Sequence, residues 1–399
     1  MNKIIKFEGE KEKQEKKHIN KKKVTIAVLV SILIFGFLLI IILHKTNIKS
    51  RNFIDKYIFR KDVLEQKVPY IEIDYDTNMK VIPYQKNIAI LKENQLIEYS
   101  SNGKKENEMK IEINDPIYDS NGKHLVIGEK NSQRFYLISN SHVAWKKEIE
   151  GKITRISVNK NGYISVIVSG TSYKSVIIVY NEKGEELFKT YLSKTIAGDS
   201  VISNDNNFLA YAELNISGST IQSCIKVISI KDVKELNTEP KYVYNTEKNE
   251  IILRIKYQDK NRLVAMYDKS IHLYDGGKET LIMDLKGNEN KITFGDINLK
   301  NNVCCLEEEN IGLFNANTIL HIVNILNQRQ VNYIIEGIVK SVETNENIIA
   351  VNLGTEVNFI NTSGWLQKKY ISNQEVRDIA IGDGVAAIIY RDKIELINL

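Results

Sequence analysis

The sequence has 399 residues, of which 26% are charged and 8% aromatic, and its formal net charge is +5. Residues 1–43 contain nine Lys and four Glu, so residues 44–399 hold 46 basic and 46 acidic residues and carry no net charge. A neutral large domain lacks the excess of Lys and Arg that contacts a phosphate backbone, which argues against binding of nucleic acid.

Two segments precede the large domain at the start of the chain. Residues 1–23 are rich in Lys and Glu and poor in apolar residues, which predicts a disordered tail. Residues Val24–Leu43, "VTIAVLVSILIFGFLLIIIL", contain no charge over 20 positions, the length that an α-helix needs to cross a bilayer. No small-residue cleavage site follows in "HKTNIKS", so we predict an uncleaved anchor that contacts the lipid bilayer.

The charges beside this span predict its orientation. Seven Lys lie within 15 residues before the span, whereas four basic residues lie within 15 after it. The more basic flank usually stays in the cytoplasm. We therefore predict a single-pass protein of the cell membrane, with a cytoplasmic N-terminus and an extracytoplasmic C-terminal domain.

Residues 44–68 form a linker between the span and the large domain. Within it, Ile54, Tyr57, Ile58 and Leu64 recur near helical spacing, which predicts a short juxtamembrane amphipathic helix. After Pro69 the helical period disappears, and short apolar runs separated by Asn, Asp, Ser and Gly continue to the last residue. This pattern is typical of strands and turns.

One outline recurs through residues 69–399: an apolar strand, a polar turn and a returning strand of alternating character. Examples are "VIIVYNEKGEELFKTYL" (176–192), "YLISNSHVAWKKEI" (136–149) and "HLYDGGKETLIMDL" (272–285). A more uniformly apolar strand precedes each hairpin, and these strands follow one another every 36 to 54 residues. Four short strands at this period indicate a β-propeller, in which neighbouring sheets cover each other's faces.

Counting the uniformly apolar strands predicts an all-β domain of eight four-stranded blades, with seven as the alternative. The last repeat, which ends with "DKIELINL", lacks a fourth strand, and "YIEIDY" (70–75) has no blade of its own. We expect this early strand to pair with residues 393–398 and to complete the last blade, because closure leaves no open sheet edge.

Several motifs together resemble an uncharacterised family of clostridial-type, Gram-positive single-pass proteins with a propeller-like domain. They are the Lys-rich start with its apolar span, "NFIDKYIFRKDV" before "VPYIEID", and "ISVNKNGYISVIV" with "VIIVYNEKG". The resemblance implies a membrane-anchored propeller, and it implies no assigned activity.

The repeats also resemble, distantly, quinoprotein-like propellers, which hold a quinone and Ca²⁺ on the central axis and repeat a Gly–Trp signature. Only Trp145 and Trp365 correspond to that signature here. We interpret both as packing residues between blades and expect no cofactor. Cys304 and Cys305 are adjacent on a predicted strand, and we interpret them as core residues.

No pattern in the sequence indicates catalysis or a metal site. The six histidines lie far apart, and no phosphate-binding glycine loop or nucleophile motif occurs. Charged residues on the predicted innermost strands are the candidate ligand contacts: Arg155, Asp199, Arg254, Asp296, Lys340 and Arg377. They either face a water-filled channel and bind an anionic group or a partner's side chain, or pair with one another.

Two functions fit these features. The first is a membrane-tethered scaffold or binding module that recognises a protein or a component of the cell envelope. The alternative is an enzyme of quinoprotein or lyase type with its site at the central channel, an analogy that rests on architecture alone.

Overall fold

A computed structural model describes residues 21–46, 68–74, 79–218, 221–233, 238–246, 250–259, 261–284, 291–310 and 316–399. The predicted disordered tail and the predicted amphipathic helix fall almost entirely outside these residues. The chain divides into two compact units, Met1–Val63 and Leu64–Leu399, and each is described by itself.

The first unit contains one described helix, α1, which begins at Lys21 and ends at Thr46. It includes the predicted span Val24–Leu43. Its side chains are described from Val28 to Ile42, and nearly all of them are exposed. Among the described residues, no helix is long and apolar enough to meet the criteria for a membrane span.

The described part of the second unit consists of eight four-stranded antiparallel sheets, which confirms the predicted number of blades and rules out seven. The first strand in the chain is β1 (Tyr70–Glu72). Blade 1 contains β2 (Lys80–Tyr84), β3 (Asn87–Lys92), β4 (Gln95–Tyr99) and β5 (Lys105–Lys110). Blade 2 contains β6 (Pro116–Asn121), β7 (His124–Glu129), β8 (Arg134–Ser139) and β9 (His142–Glu148). Blade 3 contains β10 (Lys152–Val158), β11 (Ile164–Ser169), β12 (Ser175–Tyr180) and β13 (Glu186–Leu192).

The remaining blades follow in chain order. Blade 4 contains β14 (Ile196–Ile202), β15 (Phe208–Asn215), β16 (Gln222–Ser229), a 3-10 turn at Ile230–Asp232, and β17 (Tyr242–Asn245). Blade 5 contains β18 (Ile252–Tyr257), β19 (Arg262–Tyr267), β20 (Ser270–Asp275) and β21 (Lys278–Asp284). Blade 6 contains β22 (Lys291–Asp296), β23 (Asn302–Asn310), β24 (Ala316–Asn324) and β25 (Gln330–Ile335). Blade 7 contains β26 (Ser341–Asn345), β27 (Ile348–Asn352), β28 (Glu356–Asn361) and β29 (Leu366–Ile371). Blade 8 contains β30 (Asp378–Ile381), β31 (Val385–Ile389), β32 (Lys393–Asn398) and β1.

The early strand closes the ring, as predicted. Strand β1 pairs antiparallel with β32, with Ile71 opposite Ile394. The pairing extends by two backbone bonds, from Ile73 N–H to the Asp392 carbonyl (3.0 Å) and from Leu396 N–H to the Pro69 carbonyl (2.8 Å). The sheet edge that β32 would otherwise expose is thus covered along most of its length.

The hydrophobic core lies between the blades. Eight clusters of buried residues are found in the described part of the propeller, and each draws its members from two adjacent blades. The cluster that contains Ile71 joins blade 8 to blade 1, so every interface around the ring is filled. The second strand of each blade contacts both neighbours, which explains its uniformly apolar sequence.

The outer hairpins show why residues such as glycine recur in their turns. Gly184, in the turn between β12 and β13, has φ +80°, and a Cβ atom there would lie 3.0 Å from the Trp145 ring of blade 2. Only glycine fits both the backbone conformation and this close approach. Trp145 itself packs edge-on against Phe135 at 5.5 Å and donates its indole N–H to the Glu182 carbonyl of blade 3 (3.0 Å).

The packing interpretation is therefore confirmed for Trp145, and for Trp365 it stays a prediction. The Trp365 side chain lies at the start of the last hairpin of blade 7 and is 58% exposed. Cys304 and Cys305 are both buried on β23, as expected of core residues.

Candidate functional site: the central channel

The first strand of each blade lies closest to the axis of the propeller. Strand β10 contacts β6 and β14, β14 contacts β18, and β26 contacts β30, which in turn contacts β2. In blades 3 to 6 a β-bulge interrupts this first strand at one place: between Ile153 and Arg155, Ala197 and Asp199, Ile252 and Arg254, and Ile292 and Phe294. A bulge leaves one residue unpaired and redirects the next side chain. Arg155, Asp199 and Arg254 therefore occupy equivalent positions.

Asp199 connects three consecutive blades. Its Oδ1 atom accepts a hydrogen bond from Arg155 Nε of blade 3 (2.6 Å), and its Oδ2 atom accepts one from Ile255 N–H of blade 5 (2.9 Å). Burial raises the pKa of Asp199, and the Arg155 guanidinium and the Ile255 N–H oppose that effect. Because the carboxylate is almost fully buried, these donors replace the water it has lost.

Asp296, on blade 6, makes the corresponding connection between blades 5, 6 and 7. Its Oδ1 atom accepts a hydrogen bond from Thr344 Oγ1 of blade 7 (2.6 Å), and its Oδ2 atom lies 3.9 Å from Arg254 Nη1 of blade 5. Asp119, on β6, similarly accepts a hydrogen bond from Val158 N–H of blade 3 (2.9 Å). Acidic side chains on the innermost strands thus join neighbouring blades.

Of the six predicted site residues, the structure pairs four, Arg155 with Asp199 and Arg254 with Asp296. These pairs agree with the predicted alternative in which the charged residues neutralise one another. Lys340 and Arg377 directly precede β26 and β30 instead of lying within them, and both are exposed. Neither belongs to the two ion pairs.

Charges of opposite sign alternate around most of the channel. Taking one interacting residue from the innermost strand of each blade, the order from blade 1 to blade 8 is Lys80, Asp119, Arg155, Asp199, Arg254, Asp296, Glu343 and Asp378. Blades 1, 3 and 5 supply a cation and the even-numbered blades supply an aspartate. Blade 7 breaks the alternation, because Glu343 lies between the aspartates of blades 6 and 8.

Glu343 shows the electrostatic consequence of this break. The channel walls remove part of its hydration, and this desolvation, together with the charges of Asp378 and Asp296, raises the pKa of Glu343 to about 7. Arg254 opposes the shift. Among the described residues, no side chain donates a hydrogen bond to the Glu343 carboxylate or forms an ion pair with it.

A cavity of about 210 Å³ lies beside Glu343. Its wall includes Thr344 from blade 7, Asp378 from blade 8, Lys80 from blade 1 and Tyr118 from blade 2. Burial also raises the pKa of Asp378, and the Ile379 N–H and the Lys80 ammonium group oppose that rise. Lys80 thus interacts with Asp378, whereas Glu343 lines the cavity without an ion-pair partner among the described residues.

Replacing Glu343 with Gln is expected to change how stability depends on pH. The pKa of Glu343 in the fold is about 7, above the ordinary value of 4.5, so the folded chain retains a proton that the unfolded chain releases. Stability contributed by this group therefore falls as pH rises from about 4.5 to about 7 and is constant above that range. The Tm of Glu343→Gln should exceed that of the wild type increasingly across this window.

Thermal unfolding at closely spaced pH values measures this difference. Glu375→Gln, a change in an exposed loop residue before β30, serves as the control and should show no such trend. A Tm difference between Glu343→Gln and wild type that does not vary with pH would contradict a raised pKa of Glu343 in the folded protein.

Asp119, Glu343, Asp378 and Tyr118 were not among the predicted site residues, although the structure places all four on innermost strands. They do not share one position in their strands, so no common spacing marks them in the sequence. No group of three or more His, Cys, Asp or Glu side chains in the described part of the chain is placed to hold a metal ion.

Comparison with known proteins assigns the chain to a family. A model described as a family of unknown function, DUF5711, matches residues 64–399. The chain belongs to the DUF5711 family. The match covers the whole propeller, whereas the clostridial type, the membrane anchor and the quinoprotein-like resemblance remain predictions. None of the curated proteins compared with the sequence matches it.

Several solved propellers are similar to this DUF5711 chain in fold. Sqt1 from Chaetomium thermophilum has a TM-score of 0.50 at 10% identity, over 84% of this chain and 98% of that one. The β-propeller domain of Cps50 (Swd1) from Myceliophteria thermophila has a TM-score of 0.48 at 9% identity, over 84% and 99%. AztD from Citrobacter koseri has a TM-score of 0.47 at 10% identity, over 75% and 87%. At these identities the similarity concerns the fold alone.

Proposed function

We propose that the propeller is a non-catalytic binding module that takes a cationic side chain of a protein partner, a lysine or an arginine, into its central channel. The break in charge alternation at blade 7 carries this proposal. A cation beside Glu343 would separate three neighbouring acidic residues and continue the order found in blades 1 to 6. The cation would also form an ion pair with the Glu343 carboxylate, which keeps contact with solvent.

Tyr118 supports the same ligand chemistry. Its side chain reaches from blade 2 into the cavity beside Glu343, and the negative charges of Glu343 and Asp378 add to desolvation in raising its pKa to about 12. The phenol therefore stays neutral at physiological pH, and its ring can contact a cation.

We further propose that this module is tethered to the cell membrane by Val24–Leu43 and works outside the cytoplasm, where its partner is a protein of the envelope. The uncharged run of 20 residues and the more basic N-terminal flank support this placement. The exposed apolar side chains between Val28 and Ile42 are suited to contact with acyl chains.

A non-catalytic role also fits the placement of potential nucleophiles. Ser270 Oγ lies 2.9 Å from His272 Nε2, and His272 Nδ1 lies 2.7 Å from Glu279 Oε1, the order of groups found in hydrolases. Ser270 is only 4% exposed, however, and the Tyr267 ring packs edge-on against His272. A substrate carbonyl could not reach the hydroxyl, so we interpret the chain of contacts as packing within blade 5.

Crosslinking of the full-length protein in intact cells, followed by identification of the captured proteins, tests the proposed function. The wild type should capture a recurrent partner. Glu343→Lys places a cation of the chain's own beside the cavity and should abolish the capture, whereas Glu375→Lys should not. Absence of a recurrent partner, or equal capture by Glu343→Lys with an unchanged Tm, would overturn the proposal.

A further inference from the structure

A second concave site lies far from the channel axis, where the outer strands of blades 2 and 3 diverge. This groove has a volume of about 360 Å³. One side is formed by the end of β9 and the residues that follow it, and the other by the face of β12 and β13 and the loop before β12. Its volume falls within the range of small-ligand sites, about 300–1,000 Å³.

Two tyrosines stand at the mouth of the groove. Tyr173 lies in the loop before β12 and Tyr191 lies on β13, and their side chains are 40% and 44% exposed. The ring centroids are 4.7 Å apart and the ring planes are inclined by 44°. Each ring limits the rotamers of the other, so the pair presents preorganised aromatic surface to solvent.

Polar groups of both signs surround these rings. The lining contains Lys147 and Lys189 together with Glu148, Glu150 and Glu186. Both lysines are already engaged, since Lys189 lies 3.2 Å from Glu186 and Lys147 lies over the Tyr180 ring. Glu148 is engaged by one of its two oxygens, which lies 3.4 Å from Arg134 Nε. Among the described residues, Glu150 has no hydrogen-bond or ion-pair partner. The groove therefore favours a neutral ligand with hydroxyl donors over an ion.

The floor of the groove argues against a peptide. Val176, Ile178 and Tyr180 form that floor, and each is at most 3% exposed because blade 2 already covers it. No apolar pocket remains for an anchoring side chain. The lining side chains of β12 and β13 lie on one face of the sheet, so the groove does not run along the outer edge of β13, where an added β-strand would pair.

We propose that this groove binds a neutral oligosaccharide. The axial C–H groups of a pyranose ring would stack on Tyr173 and Tyr191, and its hydroxyl groups would donate to the carboxylates of Glu148 and Glu150. This site is independent of the cation-binding channel, so either can fail without the other.

Titration of the full-length protein with neutral tetrasaccharides tests the proposal. The protein is kept in a detergent without a sugar head group, and β-1,4-linked N-acetylglucosamine, β-1,4-linked glucose and α-1,4-linked glucose tetramers are added in turn. At least one should bind, as measured by calorimetry and saturation-transfer NMR. Tyr173→Ala and Tyr191→Ala should each weaken it about three- to tenfold, because each removes one stacking contact.

Two controls separate stacking from other effects. Tyr191→Phe keeps the ring and should retain binding, and Tyr70→Ala removes an exposed tyrosine of blade 8 and should leave it unchanged. Absence of binding by all three tetramers would overturn the proposal. Equal affinity of Tyr173→Ala, Tyr191→Ala and wild type for the sugar that binds would overturn it as well.

Discussion

Replacing Asp199 with Ala is expected to destabilise the propeller by about 1–3 kcal/mol, the cost typical of leaving a buried donor without its acceptor. The Arg155 side chain is 37% exposed, so water can rehydrate it after the change. The change leaves the Ile255 N–H without its acceptor and leaves the Arg155 guanidinium beside a void. Blades 3, 4 and 5 lose a common contact, so we expect unfolding to begin in these three blades.

Chemical denaturation of the full-length protein measures the loss, and two further variants locate its cause. Asp275→Ala removes an exposed aspartate of blade 5 and should change the free energy of unfolding by less than about 0.5 kcal/mol. The double variant Arg155→Ala/Asp199→Ala should lose less free energy of unfolding than the sum of the losses in the two single variants, because both single changes remove the same ion pair. Additive losses would show that the pair does not couple blades 3 and 4.

Replacing Ile71 with Asp is expected to open the ring between blades 8 and 1. The Ile71 side chain is 6% exposed and packs in the cluster that joins these blades. An aspartate there loses the apolar contacts and places a charge among the buried apolar side chains of this cluster, at a cost of about 3–5 kcal/mol. Strand β1 pairs through only three residues, so this cost should detach it from β32.

Tyr70→Asp is a matched control for this experiment, because Tyr70 is the preceding residue of the same strand and is 56% exposed on its other face. Amide hydrogen exchange should be faster at Ile394 and Leu396 in Ile71→Asp and unchanged in Tyr70→Asp. Protected amides on β32 in Ile71→Asp would mean that β1 stays paired without the apolar contacts of Ile71.

The blade count and the closing strand followed from the linear order of residues, because the information that specifies them is local. A strand that is apolar on both faces, as at Ile164–Ser169, must lie between two neighbours, and a turn such as that at Gly184 must reverse the chain. Eight such units with one strand missing at the end required the strand at Tyr70 to supply it. Residue type alone does not reveal how much of a side chain a neighbouring blade covers. Trp365 is 58% exposed, although a Cβ atom at the preceding Gly364 would lie 3.5 Å from Val331 of blade 6.

The channel was only partly predictable. Arg155, Asp199, Arg254 and Asp296 could be chosen because charge is unusual on a buried strand. Their pairing could not be read from the sequence, since each partner lies about 40 residues away and a bulge precedes Arg155, Asp199 and Arg254. Glu343 shows the same limit: its raised pKa depends on Asp296 and Asp378, which only the ring brings beside it.

Local patterning thus specified the repeated sheets and their number, because hydrophobic period and turn chemistry act over a few residues. Only the closed ring determined which charges meet, because opposite ends of the chain and distant repeats become neighbours there. The outer groove has the same origin: Tyr173 and Tyr191 are unremarkable in sequence, and the divergence of two blades places them at one opening.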